Sequence, residues 1–221
     1  MPTPLLEPLR LEDVPAAAAL IVRAFLAHEP TSRCLGLVEE VLLPFTRAYC
    51  QRAAEEGLGV VAREAGTGDL LGALACLDLL EDVRDRWPEL QDSRFDAKLP
   101  DLAFMATLEG PFTIEQGYVP GQCAHVAQVA VAEGAGGRGL AQALIGRACE
   151  LARERGYSRI AAVCTTDASR RAHEKAGFQV VRTLRYDAHE YEGRRVFASL
   201  EGSCALLVRR LDGEPARGQF H

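Results

Sequence analysis

The stretch Gly134-Ala-Gly-Gly-Arg-Gly-Leu-Ala141 constrains this chain more than any other. It ends an apolar run, Ala124 to Val131, and opens an apolar-periodic one, so the chain passes there from strand to helix. Four glycines in six residues leave the backbone bare. A helix that starts on such a turn aims its free N–H groups and the positive end of its dipole at one point, which suits an anion, most often a phosphate. A tight connection using glycine only for its φ freedom also fits these residues, and the neighbouring sequence has to decide.

At 221 residues the chain is long enough for one domain with a real core. We read it as a single domain over 1–221, with an insertion at about 78–122 and a tail that frays after Leu211. Apolar content is 48%, and no run approaches the roughly 18 residues of a membrane span. The start, Met1-Pro-Thr-Pro, lacks a basic region followed by an apolar one, so we expect a cytoplasmic protein without a membrane partner. The seven cysteines are scattered without a C-x-x-C pair and read as reduced, buried thiols. No His/Asp/Glu spacing suggests a metal site. The net charge is −6, and residues 78–122 hold 10 Asp or Glu against 4 Arg or Lys, which accounts for all of it. That segment argues against nucleic acid and favours a cationic small molecule, although a solvated acidic face would look the same.

Helical periodicity runs over Leu11–Leu26 and stops at His28-Glu29-Pro30, where proline places Glu29 in a turn. A second helix over roughly 35–56 ends at Gly57. Strands over 58–63 and 70–77 flank a hairpin turn at Ala65-Gly-Thr-Gly-Asp69. The acidic segment, broken by Trp87-Pro88, Leu99-Pro100 and Gly110-Pro111, is long for a loop and is expected to hold short helices over a site. A strand over 124–131, buried on both faces, leads through the glycine turn to a helix from Leu140 that Gly156 ends. Then come a buried strand over 159–165, a short helix over 169–176, and two strands over 178–186 and 204–210. The order predicts a mixed α+β sheet flanked by helices.

Three phosphate motifs compete for the turn. A P-loop needs Lys-Ser/Thr where Leu140-Ala141 stands and is excluded. The dinucleotide pattern G-x-G-x-x-G is matched by Gly134, Gly136 and Gly139, but the first acidic residue after the next strand is Asp167, too far along for a ribose ligand. The third pattern is Arg/Gln-x-x-Gly-x-Gly/Ala. Gly136-Gly137-Arg138-Gly139-Leu140-Ala141 fits it at Gly139 and Ala141 and departs at Gly136, which replaces Arg or Gln. Together with the junction Glu174-Lys-Ala-Gly-Phe178, this resembles the GNAT N-acyltransferases over about residues 10–211. The resemblance implies a mostly antiparallel sheet with one splayed parallel strand pair. It implies acetyl-CoA as co-substrate, with Val129, Ala130 and Val131 along the pantetheine arm. Gly136, Gly137, Arg138, Gly139, Leu140, Ala141 and Gln142 would lie at the pyrophosphate, Arg138 making up for the side chain missing at Gly136.

Within that superfamily the chain resembles the arylalkylamine N-acetyltransferases of the insect dopamine type, through Phe25-Leu-Ala-His-Glu-Pro30, Val163-Cys-Thr-Thr-Asp-Ala-Ser169 and Tyr186…Tyr191-Glu-Gly…Val196-Phe197. The implied reaction is direct attack by a small primary amine in a ternary complex. Other acceptors (a polyamine, an amino sugar, a protein N-terminus) and a non-catalytic acyl-CoA sensor stay open, as do monomer and homodimer. The amine must lose a proton, and Glu29 in its turn is the expected base. Thr165 and Ser169 hold the family's hydroxyl positions, although Ser169 also suits the N-cap of its helix. His173 stands where many members carry a proton donor, a role imidazole can fill near neutrality. His28 and His125 read as structural or substrate-lining.

Overall fold

The computed structural model describes residues 4–212, so the tail expected to fray lies, from residue 213 on, outside the described residues. Seven strands form one sheet in the order β1-β2-β3-β4-β5-β7-β6. They are β1 (Leu5–Pro8), β2 (Val60–Arg63), β3 (Leu70–Asp78), β4 (Cys123–Val131), β5 (Arg159–Cys164), β6 (Gln179–Arg185) and β7 (Ser203–Arg210). All neighbours are antiparallel except β4 and β5. The short edge strand β1 has no alternating pattern in the sequence and was not anticipated.

The middle strands are apolar on both faces because both are covered. On one side α1 (Val14–His28) and α3 (Glu39–Glu56) pack Ala17, Ile21, Cys50 and Ala53 on Val61, Ala73 and Ala75. On the other, α6 (Leu140–Glu154) sets Leu144, Ile145 and Ala148 on Val60, Leu74, Cys76 and Ile160. The single helix expected over 35–56 is preceded by a separate turn of helix, α2 (Pro30–Cys34), which Glu29 caps.

The acidic segment is more ordered than its prolines suggest. After α4 (Val83–Arg86) and two 3-10 turns comes α5 (Leu99–Gln116), an 18-residue helix that runs through Gly110-Pro111. Pro111 lacks the N–H that would bond back to residue 107, a local cost the packing offsets. Phe104, Leu108 and Phe112, spaced by four, bury one stripe of α5 against β5, β7, Tyr186 and Phe197. Phe104 stacks on Tyr186 at 5.4 Å and meets Phe197 edge-on at 5.1 Å. Fixing that stripe turns the next one, Asp101, Met105 and Glu109, toward a cavity. The short helix near 169 is α7 (Asp167–Lys175).

Candidate active site

The site begins where two strands part. Parallel pairing runs from Cys123↔Arg159 to Val126↔Ala162 and stops, while β4 continues to Val131 along β3 alone. Ala75 opposes Gln128 and Cys76 opposes Val126, so Ala127 is one residue too many and bulges. A bulge bends its strand and raises the local twist. It turns the far half of β4 away from β5, and the opened V leads into a cavity of about 490 Å³. The cavity is walled by the end of α1, the β3–α4 connection, α5, the far half of β4 and the start of α7.

Glu29 sits in this wall, between α1 and α2, with 9% of its surface exposed. Pro30 ends α1 and starts α2, and Glu29 caps the new helix: Oε1 accepts from the Thr31 amide at 3.1 Å and Oε2 from the Ser32 amide at 2.6 Å. The Thr31 hydroxyl adds a contact of 2.8 Å to Oε2. From α5, Asp101 reaches the same hydroxyl at 2.5 Å and pairs with Lys98.

Charge in the wall is more balanced than composition implies. Glu81 pairs with Arg52 at 3.0 Å, Asp82 with Arg84 at 2.6 Å, and Asp101 with Lys98. Glu109 meets His125 at 2.9 Å. The wall carboxylates without a Lys or Arg partner are therefore Glu29 and Glu109.

On the opposite wall, Thr165 and Ser169 flank the parted end of β5. The Tyr186 hydroxyl donates to the Thr165 carbonyl at 2.5 Å, tying that turn to the aromatic cluster under α5. The N-cap of α7 is Thr166, whose side chain accepts from the Ser169 amide at 3.1 Å. Ser169 is thus not the cap, and its hydroxyl turns to Cys164 Sγ at 3.4 Å. Burial pushes the Cys164 thiol up to about 11. His173 also borders the cavity but is 1% exposed. Its Nδ1 lies 2.9 Å from the Ser169 carbonyl, which can only accept, so Nδ1 carries the proton and Nε2, enclosed without a partner, does not. Burial pulls its pKa down to about 4. Near neutrality His173 is therefore uncharged, with its one N–H spent on the backbone.

The glycine turn lies beyond Val131, at the N-terminus of α6. Gly134, Gly137 and Gly139 have φ of 80°, 73° and 73°, which favour glycine, whereas Gly136 has no such φ. A Cβ added at Gly134, Gly136, Gly137 or Gly139 would meet nothing within 4 Å, so the turn is an open cradle on its outer side. Arg138 is exposed in it.

A family model described as the acetyltransferase (GNAT) family matches residues 37–178. The chain belongs to the GNAT acetyltransferase family. No curated protein sequence matches it. Among solved structures, the C-terminal condensation domain of Ebony in complex with β-alanyl-dopamine fits with TM-score 0.83 at 17% identity, covering 95% of this chain and 100% of that one. A mosquito arylalkylamine N-acetyltransferase like 5b gives 0.77 at 18%, with 94% and 100% covered. The Drosophila melanogaster polyamine N-acetyltransferase, which catalyses formation of N-acetylagmatine, gives 0.73 at 18%, with 94% and 100% covered. At such identities the likeness establishes the GNAT fold.

Seen as a GNAT enzyme, the chain gathers Glu29, Thr165, Ser169 and His173 around one cavity, with Val129, Ala130 and Val131 along its β4 wall. The segment Gly136–Gln142 stands outside that cavity, at the head of α6. Leu140 there is core, 5% exposed, so only its backbone can serve a ligand. Sequence reasoning missed Thr31, Lys98, Asp101 and Glu109. The first directly follows Glu29-Pro30, Asp101 and Glu109 lie eight apart on one face of α5 that the prolines hid, and Lys98 stands just ahead of that helix. Among the described residues, no three or more His, Cys, Asp or Glu side chains are grouped to hold a metal ion, and no helix is long and apolar enough to cross a membrane. The seven cysteines are unpaired and all but Cys34 are buried.

The open space at Gly136 carries a prediction. Gly136→Arg or Gly136→Gln should fit without strain and restore the side chain the family pattern has there. The KM for acetyl-CoA is expected to fall about three- to tenfold, as one solvent-exposed hydrogen bond of about 0.6–1.4 kcal/mol would give. An unchanged KM in both variants would mean that position 136 does not face the pyrophosphate.

Proposed function

We propose that this protein transfers acetyl from acetyl-CoA to a small primary amine by direct attack in a ternary complex, with an arylalkylamine as the first acceptor class. The observation that carries the reading is the Glu29 carboxylate in the wall of a cavity that opens onto the parted strands β4 and β5. The pantetheine arm would run along Val129–Val131, where β4 has no partner on the β5 side, and the pyrophosphate would rest on the amides of Gly136–Gln142.

The amine arrives as an ammonium, and Glu29 takes a proton from it. The nitrogen's freed electron pair attacks the thioester carbonyl. The tetrahedral intermediate then collapses by breaking the C–S bond, and the CoA thiolate takes a proton. Thr165 and Ser169 are the hydroxyls to which we assign its return. His173 is the weaker candidate, because its N–H is already held by the Ser169 carbonyl.

Residues 78–122 act as the insertion over the acceptor pocket, within a single cytoplasmic domain. The pocket's uncompensated carboxylates, Glu29 and Glu109, favour a cationic acceptor. Two of them on separate elements give specific support to a second reading, a polyamine acceptor.

The test is purified protein with acetyl-CoA and a panel of arylalkylamines and polyamines, following thiol release. Turnover with an aromatic amine is expected. Silence across both sets, with activity on an amino sugar or a peptide N-terminus, would overturn the acceptor and keep the transfer. With an active acceptor, KM should rise severalfold between low salt and about 1 M, where the Debye length shrinks to about 3 Å. A flat salt profile would remove Glu29 and Glu109 as the groups that attract it.

A further inference from the structure

One threonine stands between two carboxylates. Thr31 Oγ1 is 2.8 Å from Glu29 Oε2 and 2.5 Å from Asp101 Oδ1. A hydroxyl owns one proton and donates to one acceptor at a time. When it serves Asp101, the contact with Glu29 is satisfied only if Glu29 carries a proton and donates to Oγ1. When it serves Glu29, Asp101 Oδ1 goes without, and Asp101 relies on the Lys98 ammonium bound to its other oxygen. The two states differ by the rotation of one hydroxyl and the place of one proton.

The four groups have little surface open to water. Thr31 is 0% exposed, Asp101 4%, Lys98 6% and Glu29 9%. Burying two carboxylates and an ammonium costs free energy that only good pairing offsets. Here the pairing reaches from the acidic insertion across 70 positions to the expected base, and Glu29, Asp101 and Lys98 all border the cavity. A purely structural cap for α2 would need none of this, since the Thr31 and Ser32 amides already hold Glu29.

We infer that Thr31 and Asp101, steadied by Lys98, are positioning residues that draw the amine's proton away from Glu29. The inference rests on Glu29 being the base. The ammonium N–H bond breaks, its proton goes to Glu29, and the nitrogen keeps the electron pair that attacks. The proton on Glu29 Oε2 then passes to Thr31 Oγ1 as the threonine's own proton passes to Asp101 Oδ1. Glu29 is again ionised, Thr31 is unchanged, and Asp101 holds the proton beside Lys98. The other groups near this path are His28 on α1, Tyr49 on α3, Tyr186 and Cys204. Burial pushes both tyrosines and the cysteine up, so they stay protonated through the assay range.

The experiment is steady-state kinetics from pH 5 to 9 on Thr31→Ser, Thr31→Val and Asp101→Asn, with Glu29→Gln as reference and acetyl-CoA affinity and unfolding midpoint measured on each. Thr31→Val and Asp101→Asn should lose kcat about tenfold or more, with acetyl-CoA affinity unchanged. Asp101→Asn should also move the acid limb of kcat/KM to lower pH. It removes a negative charge beside Glu29, and its amide donates to Thr31, turning that hydroxyl toward Glu29. Thr31→Ser keeps the hydroxyl and should stay within about threefold of the parent, with its acid limb in place. If Thr31→Val does not fold, Thr31→Ser and Asp101→Asn decide. The inference is overturned if Asp101→Asn keeps kcat and the position of the limb while Glu29→Gln is inactive, which leaves Glu29 as the base. An active Glu29→Gln would remove the base itself, and the inference with it.

Discussion

Glu29→Gln is expected to lower kcat by about 10²- to 10⁴-fold, the range over which a positioned general base acts. The substitution keeps the shape and removes the charge, so the acceptor's proton has nowhere to go. It also disturbs the cap of α2, because both carboxylate oxygens accept from amides there and the new NH₂ must face one of those donors. Losing one cap bond costs about 1 kcal/mol, or about 2–4 °C in Tm for a chain of this size. The two effects separate in measurement. Thermal unfolding should move by a few degrees and acetyl-CoA binding not at all, while turnover collapses. Full turnover in a folded variant would remove Glu29 from the chemistry, and a collapse of acetyl-CoA binding would reassign it to the donor side.

Acidification from pH 6.5 to 4 should destabilise the protein through His173. The folded state holds this imidazole neutral, with a pKa near 4 because of burial, against about 6.5 in the unfolded chain. Within that window the unfolded state binds more protons, so stability rises with pH there. The contribution is complete above about pH 6.5 and is lost as pH falls through the folded value, about 3 kcal/mol in all. His189, also pulled down by burial, tilts the same way, while Glu56, pushed up by burial, tilts the other. The lowered carboxyls of Asp82, Asp187 and Asp212 tilt the same way as His173, but mainly at the acid end of the window and below it. His173→Gln cannot titrate, so urea midpoints measured on it across this range should lose most of the parent's slope. An equal slope in both proteins would mean that the imidazole reaches water.

What could be read from the chain was local. The glycine turn declared itself because positive φ at Gly134, Gly137 and Gly139 is a demand the backbone makes residue by residue. Glu29 declared itself because Pro30 fixes a helix boundary beside it. The strands of the sheet interior were legible from burial on both faces and β6 from its position after Gly177, whereas β1, a four-residue edge, was not. The prolines of the acidic segment pointed to breaks that the packing of Phe104, Leu108 and Phe112 overrides in α5. Nothing in a linear pattern joins Thr31 to Asp101, since their contact exists only after α5 docks. The near-neutral wall was hidden in the same way. Its composition is acidic, but Arg52 on α3 and Lys98 ahead of α5 cancel two charges through the fold. Ser169 suited an N-cap in the sequence, and the helix instead starts two residues earlier, capped by Thr166.

The two stripes of α5 have an evolutionary consequence. The helix that walls the cavity is seated on the β5–β7 aromatic cluster, whereas the glycine turn is anchored by α6 in a different cluster. Side chains at 105 and 109 face the cavity, and of the two only Met105 also packs against the core, from its edge. Under the proposed function they can drift to suit a new amine while the glycine turn stays intact, and the brake on that drift is Asp101, which the wall shares with Thr31 and Glu29.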